Sequence, residues 1–128
     1  MTETEDTYCT NQDVEHRLAL GDHYGGELEV IRDVRKRAHR WIKHRFAMEG
    51  KEDEVPDPAE ELPADFDILR DVEATRAAYL YKRDVMEWVS EQGTKRGKVE
   101  RWKKDSESML KQLFRSKWGD ELYAFGGR

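Results

Sequence analysis

The residues most able to do chemistry here are four histidines and a single cysteine, and their spacing speaks against both metal binding and nucleophilic catalysis. His39 and His44 stand five positions apart, so they cannot share a helical face as the i, i+4 pair of a zinc helix must. His16 and His23 fall on either side of a helix end expected near Gly21. Cys9 alone can form neither an internal disulfide nor a thiolate zinc cluster. No Ser or Cys sits in a context that would activate it as a nucleophile, and the Gly25-Gly26 and Gly126-Gly127 pairs lack the phosphate-loop pattern. Carboxylates are abundant, but in a chain that is 40% charged they read as solvated surface. No catalytic residue, metal or cofactor is predicted, and the expectation is a protein that is not an enzyme.

The charges are nevertheless sorted along the chain. Arg32, Lys36, His39, Arg40 and Lys43 form a basic stripe opposite the apolar face of an amphipathic segment. Lys95 to Lys104 is a second basic stretch, whereas Glu49 to Glu73 is acidic, with Glu52, Asp53, Glu54, Asp57, Glu60 and Glu61 around Pro56 and Pro58. Solvated faces and intramolecular ion pairs would account for such patches. So would contacts between copies, because complementary patches at two different places favour heterologous, head-to-tail association that closes into a ring when the rotation permits.

The elements that position these charges are helical by spacing. A helix is expected over Pro63 to about Glu91, with Pro63 in its first turn and Asp65 and Asp67 at its positive end. At 100° per residue, Phe66, Leu69, Ala77, Leu80 and Trp88 fall in one row and Ile68, Val72, Tyr79 and Met86 in a second beside it. So wide an apolar arc needs several covering partners, which makes this the core helix, with Asp67, Asp71 and Lys82 left for solvent. Upstream, Thr10 and Asp13 form a variant of the capping box ahead of Val14 and Leu18, a short first helix closed by Gly21. Leu28, Ile31, Val34, Ala38, Trp41 and Ile42 mark the second helix. Glu49 to Leu62 reads as a loop and Gly93 to Gly97 as a hinge or turn. Val99, Trp102, Ser106, Met109, Leu110, Leu113 and Phe114 mark a last helix closed near Gly119. No alternating strand and no internal repeat is visible, so the expected class is all-α, a small bundle of about four helices.

Length and composition bound the rest. At 128 residues with three prolines, one domain is expected over residues 8–118, preceded by a flexible acidic tail at 1–7 and followed by an extended tail at 119–128. A mean hydropathy of −1.01 and a net charge of −5 describe an ionic surface and argue against indiscriminate nucleic-acid binding. No apolar run approaches the ~20 residues that span a bilayer, and the acidic start is unlike a signal peptide. A soluble, unexported protein without membrane contact is expected. Leu122, Tyr123, Ala124 and Phe125 are too apolar for a spacer, so the C-terminal tail is expected to dock, either on a partner or back on its own last helix.

Several of these pieces, in this order, resemble the head-to-tail connector (adaptor) proteins of tailed viruses. They are Tyr8-Cys9-Thr10, then Asp13-Val14 and Leu18, the Arg37 to Ile42 segment (Arg-Ala-His-Arg-Trp-Ile) ending in Arg45-Phe46, and Leu62-Pro63-Ala64-Asp65 leading to Ala77-Ala78-Tyr79-Leu80-Tyr81. The likeness covers roughly Tyr8 to Arg83. After Arg83 the chain departs from the family's Gly- and Ser-rich, Tyr-containing segment. The resemblance implies a structural subunit of a homo-oligomeric ring, typically a dodecamer, beneath the portal protein in the virion neck, assembled in the host cytoplasm. It also implies contact with a tail or tail-completion protein, and DNA passing through the lumen without specific binding. On this reading Arg32, Lys36, Arg40 and Lys43 of one subunit meet Glu52, Asp53, Glu54, Glu60 and Glu61 of the next, and Leu122 to Phe125 dock on the portal. The alternative is a DNA-binding helical module, such as the small subunit of a viral DNA-packaging enzyme, with the same four cations on phosphates.

Overall fold

Four helices and no strand make up the described residues of the computed structural model, which are 7–18, 28–85 and 93–122. The helices are α1 (Asn11–Leu18), α2 (Leu28–Met48), α3 (Ile68–Val85) and α4 (Gly93–Leu122), and the all-α expectation holds. The expected N-terminal tail lies almost wholly outside the described residues. Thr7 is the exception, and it is fully buried rather than solvated.

Helix α1 starts as its sequence dictates. The Thr10 amide donates to Asp13 Oδ2 at 2.9 Å and the Asp13 amide donates to Thr10 Oγ1 at 3.2 Å, so two otherwise orphaned donors are satisfied reciprocally. Helix α2 buries Ile31, Val34, Ala38, Ile42 and Phe46 along one face. It ends where Gly50 takes φ 72°, a left-handed conformation that costs glycine nothing. There the Lys51 amide reaches back to the Phe46 carbonyl at 2.8 Å and the Gly50 amide to that of Ala47 at 2.9 Å. That pair of bonds closes the helix by the Schellman pattern.

Helix α3 is the hub, touching α1, α2 and α4. Leu69, Val72, Ala74, Ala77, Ala78, Tyr79, Leu80 and Tyr81 are all buried, as so wide an apolar arc requires, while Asp67 and Asp71 stay exposed. The helix starts later than expected. Pro63 is extended at ψ 151°, a single 3-10 turn follows at Ala64–Phe66, and the α-helix proper begins at Ile68. Met86 and Trp88 lie outside the described residues.

Helix α4 corrects two expectations. Gly93 to Gly97 is helical and not a hinge, because two glycines cost a helix only about 1 kcal/mol each, while every residue added to a packed, nucleated helix gains a hydrogen bond. Nor does Gly119 end the helix. The break falls one residue earlier, at Trp118 (φ −133°, ψ 22°), whose buried indole lies against Phe46, Phe66 and Phe114, and helical backbone then continues to Leu122. The tail expected to be extended from residue 119 is therefore helical at first. Tyr123, Ala124 and Phe125 lie outside the described residues.

The core has two parts. One gathers Cys9, Val14, Leu18, Ile31, Val34, Ala38 and the Ala74 to Tyr81 face of α3 around Trp102. The other is aromatic, with Phe46 edge-on to Phe114 at 5.0 Å and to Trp118 at 6.0 Å, roofed by Lys51 over Trp118 and Lys117 over Phe66.

Candidate functional site

The segment ahead of α1 is held by a buried polar network. Glu73, at the centre of α3 and fully buried, accepts the backbone N–H of Tyr8 at 2.7 Å and of Cys9 at 2.8 Å on Oε1, and meets His39 Nδ1 at 2.8 Å on Oε2. Arg35, one turn before His39 on α2 and also fully buried, donates to Thr7 Oγ1 from Nε and Nη2 and to Asn11 Oδ1 from Nη1. Thr7 passes its own hydroxyl hydrogen to the Cys9 carbonyl at 2.8 Å. The Tyr8 ring lies edge-on to His39 at 4.8 Å, and its hydroxyl donates to the Pro56 carbonyl at 2.7 Å. Four stretches of chain are thus cross-linked: the N-terminal segment, α2, α3 and the acidic loop.

Within this network Cys9 and His39 are both held by Glu73. Burial, followed by the neighbouring Glu73, pushes the Cys9 thiol well above its ordinary value, so it stays protonated and shut away from solvent. Burial likewise pushes the Tyr8 phenol up. Among the described residues no three His, Cys, Asp or Glu side chains converge as metal ligands. His39, expected on the basic stripe, is instead buried against Glu73, because two turns after Ile31 it lies at the edge of the apolar face.

Ion pairs fasten α1 to α3. Arg17 reaches Asp71 at 2.9 Å and Thr75 Oγ1 at 2.9 Å, and Arg70 reaches Asp13 at 3.1 Å. Burial pushes the Asp13 carboxyl up, but the Thr10 amide and Arg70 outweigh it and hold it below its ordinary 3.8. A carboxyl whose folded pKa is depressed adds stability above its unfolded pKa and loses it as pH falls through the folded one. Asp13→Asn is therefore expected to lower Tm at neutral pH and to converge on the wild type as the pH drops below 3.8. Thermal melts of both proteins across the acid range measure this, and a constant gap down to the lowest pH would refute it.

The two charge patches stay on the surface. Arg32, Lys36, Arg40 and Lys43 are all exposed along α2. Glu52, Asp53 and Glu54 are exposed on a 3-10 turn just beyond the end of α2, and Glu60 and Glu61 are exposed further along the loop. The structure does not bring the two sets together. Among the described residues, Arg32, Arg40, Lys43 and the five carboxylates make no ion pair, the ion pairs being made by other side chains. A cleft of about 390 Å³ adds to the acidic side, lined by Tyr8, Pro58, Ala59, Glu60, Glu61, Leu62, Asp67 and Arg70. With three carboxylates and one guanidinium on its walls, it suits a cationic side chain. Tyr8 is the lining residue that spacing could not place there, since it is distant in sequence from the loop it joins.

Comparison with known proteins returns no match to a family model, a curated protein or a solved structure. No helix among the described residues is long and apolar enough to cross a membrane.

Proposed function

We propose that this chain is a structural adaptor of a tailed virus, assembling head to tail into a ring beneath the portal through which DNA passes. The observation that carries the reading is the pair of opposite charge patches, both exposed, in which Arg32, Arg40 and Lys43 on one side and Glu52, Asp53, Glu54, Glu60 and Glu61 on the other make no ion pair among the described residues. A heterologous contact between them uses both patches of every copy and leaves none over once the ring closes. The connector-like segments between Tyr8 and Arg83, folded as a helical bundle around α3, support the same conclusion. The acidic cleft would receive side chains from the α2 stripe of the next subunit. Leu122, Tyr123, Ala124 and Phe125 would dock on the portal, with a tail-completion protein on the opposite side, in the virion neck. The role is mechanical: no step of it is chemical, and a net negative charge lets DNA slide instead of holding it by counterion release.

The exposed basic stripe also suits phosphates, so the rival is a DNA-binding helical module of a packaging enzyme. Native mass measurement with and without the portal, beside DNA titrations at several salt concentrations, separates the two. The adaptor is expected to form a closed multimer with negligible DNA affinity. A monomer whose DNA affinity falls steeply with salt, by about 0.9 log units per decade for each neutralised phosphate, would establish the rival.

A further inference from the structure

On the side of the bundle where α2, α3 and α4 meet, guanidinium groups gather around Trp41. The Arg76 guanidinium carbon lies 4.1 Å from the Trp41 ring centre and 4.9 Å from that of Tyr79, and the Arg45 carbon lies 6.0 Å from Trp41. Such stacking fixes a guanidinium plane and leaves its edges to donate. Part of those edges is left without a hydrogen-bond acceptor. Arg45 Nε and Arg76 Nε and Nη1 are buried without an acceptor, although a buried donor left unbonded costs about 1–3 kcal/mol. The nearest carboxylate, Glu107, stands 3.5 Å from Arg76 Nη1, an ion pair without a hydrogen bond. Burial outweighs that carboxylate and lowers the Arg76 pKa, the mark of an incompletely compensated cation.

Beside this pair opens a cleft of about 280 Å³ lined by Arg45, Lys104, Glu107, Ser108 and Lys111. Its walls carry three cations and a hydroxyl against one carboxylate, with Arg76 behind Glu107. We infer that this cleft is an oxyanion site that takes a phosphate group. A carboxylate offers two oxygens and a single charge. A phosphate offers oxygens in tetrahedral directions and up to two charges, which match donors arriving from two helices, α2 and α4, and the excess of positive charge. The volume admits a phosphate with part of the molecule that carries it. None of these side chains belongs to the α2 stripe or the acidic loop, so the site is independent of the proposed ring contact.

The test uses the full chain titrated with inorganic phosphate at constant ionic strength, chloride making up the difference, and read by Tm and calorimetry. A saturable rise in Tm is expected. Arg45→Gln combined with Lys111→Gln should weaken phosphate binding about tenfold or more, one decade corresponding to roughly 1.4 kcal/mol. Lys104 and Lys111 are exposed, so K104Q/K111Q keeps the fold and serves as a second variant, expected to lose affinity with unchanged helicity. A short DNA duplex added to the phosphate-bound protein identifies the source. Displacement of the phosphate assigns the site to the nucleic-acid backbone, and failure to displace it assigns it to free phosphate or a phosphate monoester; both uphold the site. An unsaturating response, or one equal in wild type and variants, would overturn it. So would a change in particle mass with phosphate affinity intact, since the cleft would then hold a neighbour's carboxylate.

Discussion

Replacing Glu73 with Ala is expected to destabilise the fold by about 3–5 kcal/mol, the loss typical of removing one partner from a buried charged network. Against a total stability of about 5–15 kcal/mol this is the largest single-residue effect expected in the chain. The reason lies in what is left behind. The buried Tyr8 and Cys9 amides would each lose their acceptor and His39 Nδ1 its partner. Glu73→Gln keeps the size and one acceptor oxygen but turns an amide NH2 toward donors, so it should also destabilise, by less. Denaturant midpoints measure the global effect. Cys9 gives a local one, because its thiol is buried beneath the same segment and should react with a thiol reagent only when that segment lifts. In Glu73→Gln the thiol is expected to react far faster than in wild type under native conditions. An unchanged midpoint together with an inert thiol would show that the network is not what holds residues 7–9.

That network also marks the limit of what the sequence discloses. The helices were legible because Val14 and Leu18, Ile31 to Ile42, Leu69 to Leu80 and Trp102 to Phe114 keep strict helical spacing, and burial follows that spacing nearly residue by residue. The Thr10–Asp13 cap was legible for the same reason, being a purely local contact. Glu73 and Arg35 were not, because their partners lie 65 and 28 residues away and periodicity carries no information about pairing across such distances. A trace was nonetheless present. Glu73 interrupts the run Val72, Ala74, Ala77 on the most apolar helix, and Arg35 stands four residues after Ile31 on an apolar face. Charged residues in such places must be paired. Gly50 was a similar missed signal, standing just past the last apolar residue of α2 where a left-handed cap belongs. The failure at Gly93 to Gly97 ran the other way, since local glycine propensity was outweighed by the long helix that follows. The charge patches were legible as patches. That Arg32, Arg40 and Lys43 make no ion pair with the carboxylates of the acidic loop became visible only in the fold.

Reversing Arg32, Lys36 and Arg40 together to Glu is expected to abolish ring assembly while leaving a helical monomer. All three are exposed on one face of α2, away from Ile31, Val34 and Ala38, so the substitutions remove no core contact and Glu is as good a helix former as the residues it replaces. In a head-to-tail contact every copy would then press a negative stripe onto Glu52, Asp53, Glu54, Glu60 and Glu61 of its neighbour. Like charges brought face to face cost several kcal/mol, against an attraction at the same contact in the wild type. The penalty recurs at each interface, so the ring should fail as a whole instead of shrinking. Rim charges of this kind also act through salt, and wild-type assembly should weaken as ionic strength rises and the screening length falls below about 10 Å. A complementary variant sharpens the test: Glu52, Glu60 and Glu61 changed to Lys should fail alone and restore multimers when combined with the reversed stripe in one chain. Particle mass and far-ultraviolet helicity are the two readouts. Loss of helicity would mean that the stripe serves the fold. Intact multimers with lost DNA retention would hand the stripe to phosphates and the protein to the packaging-enzyme reading. Loss of multimers with helicity intact, reversed by the complementary charges, requires that the two patches meet across a subunit boundary.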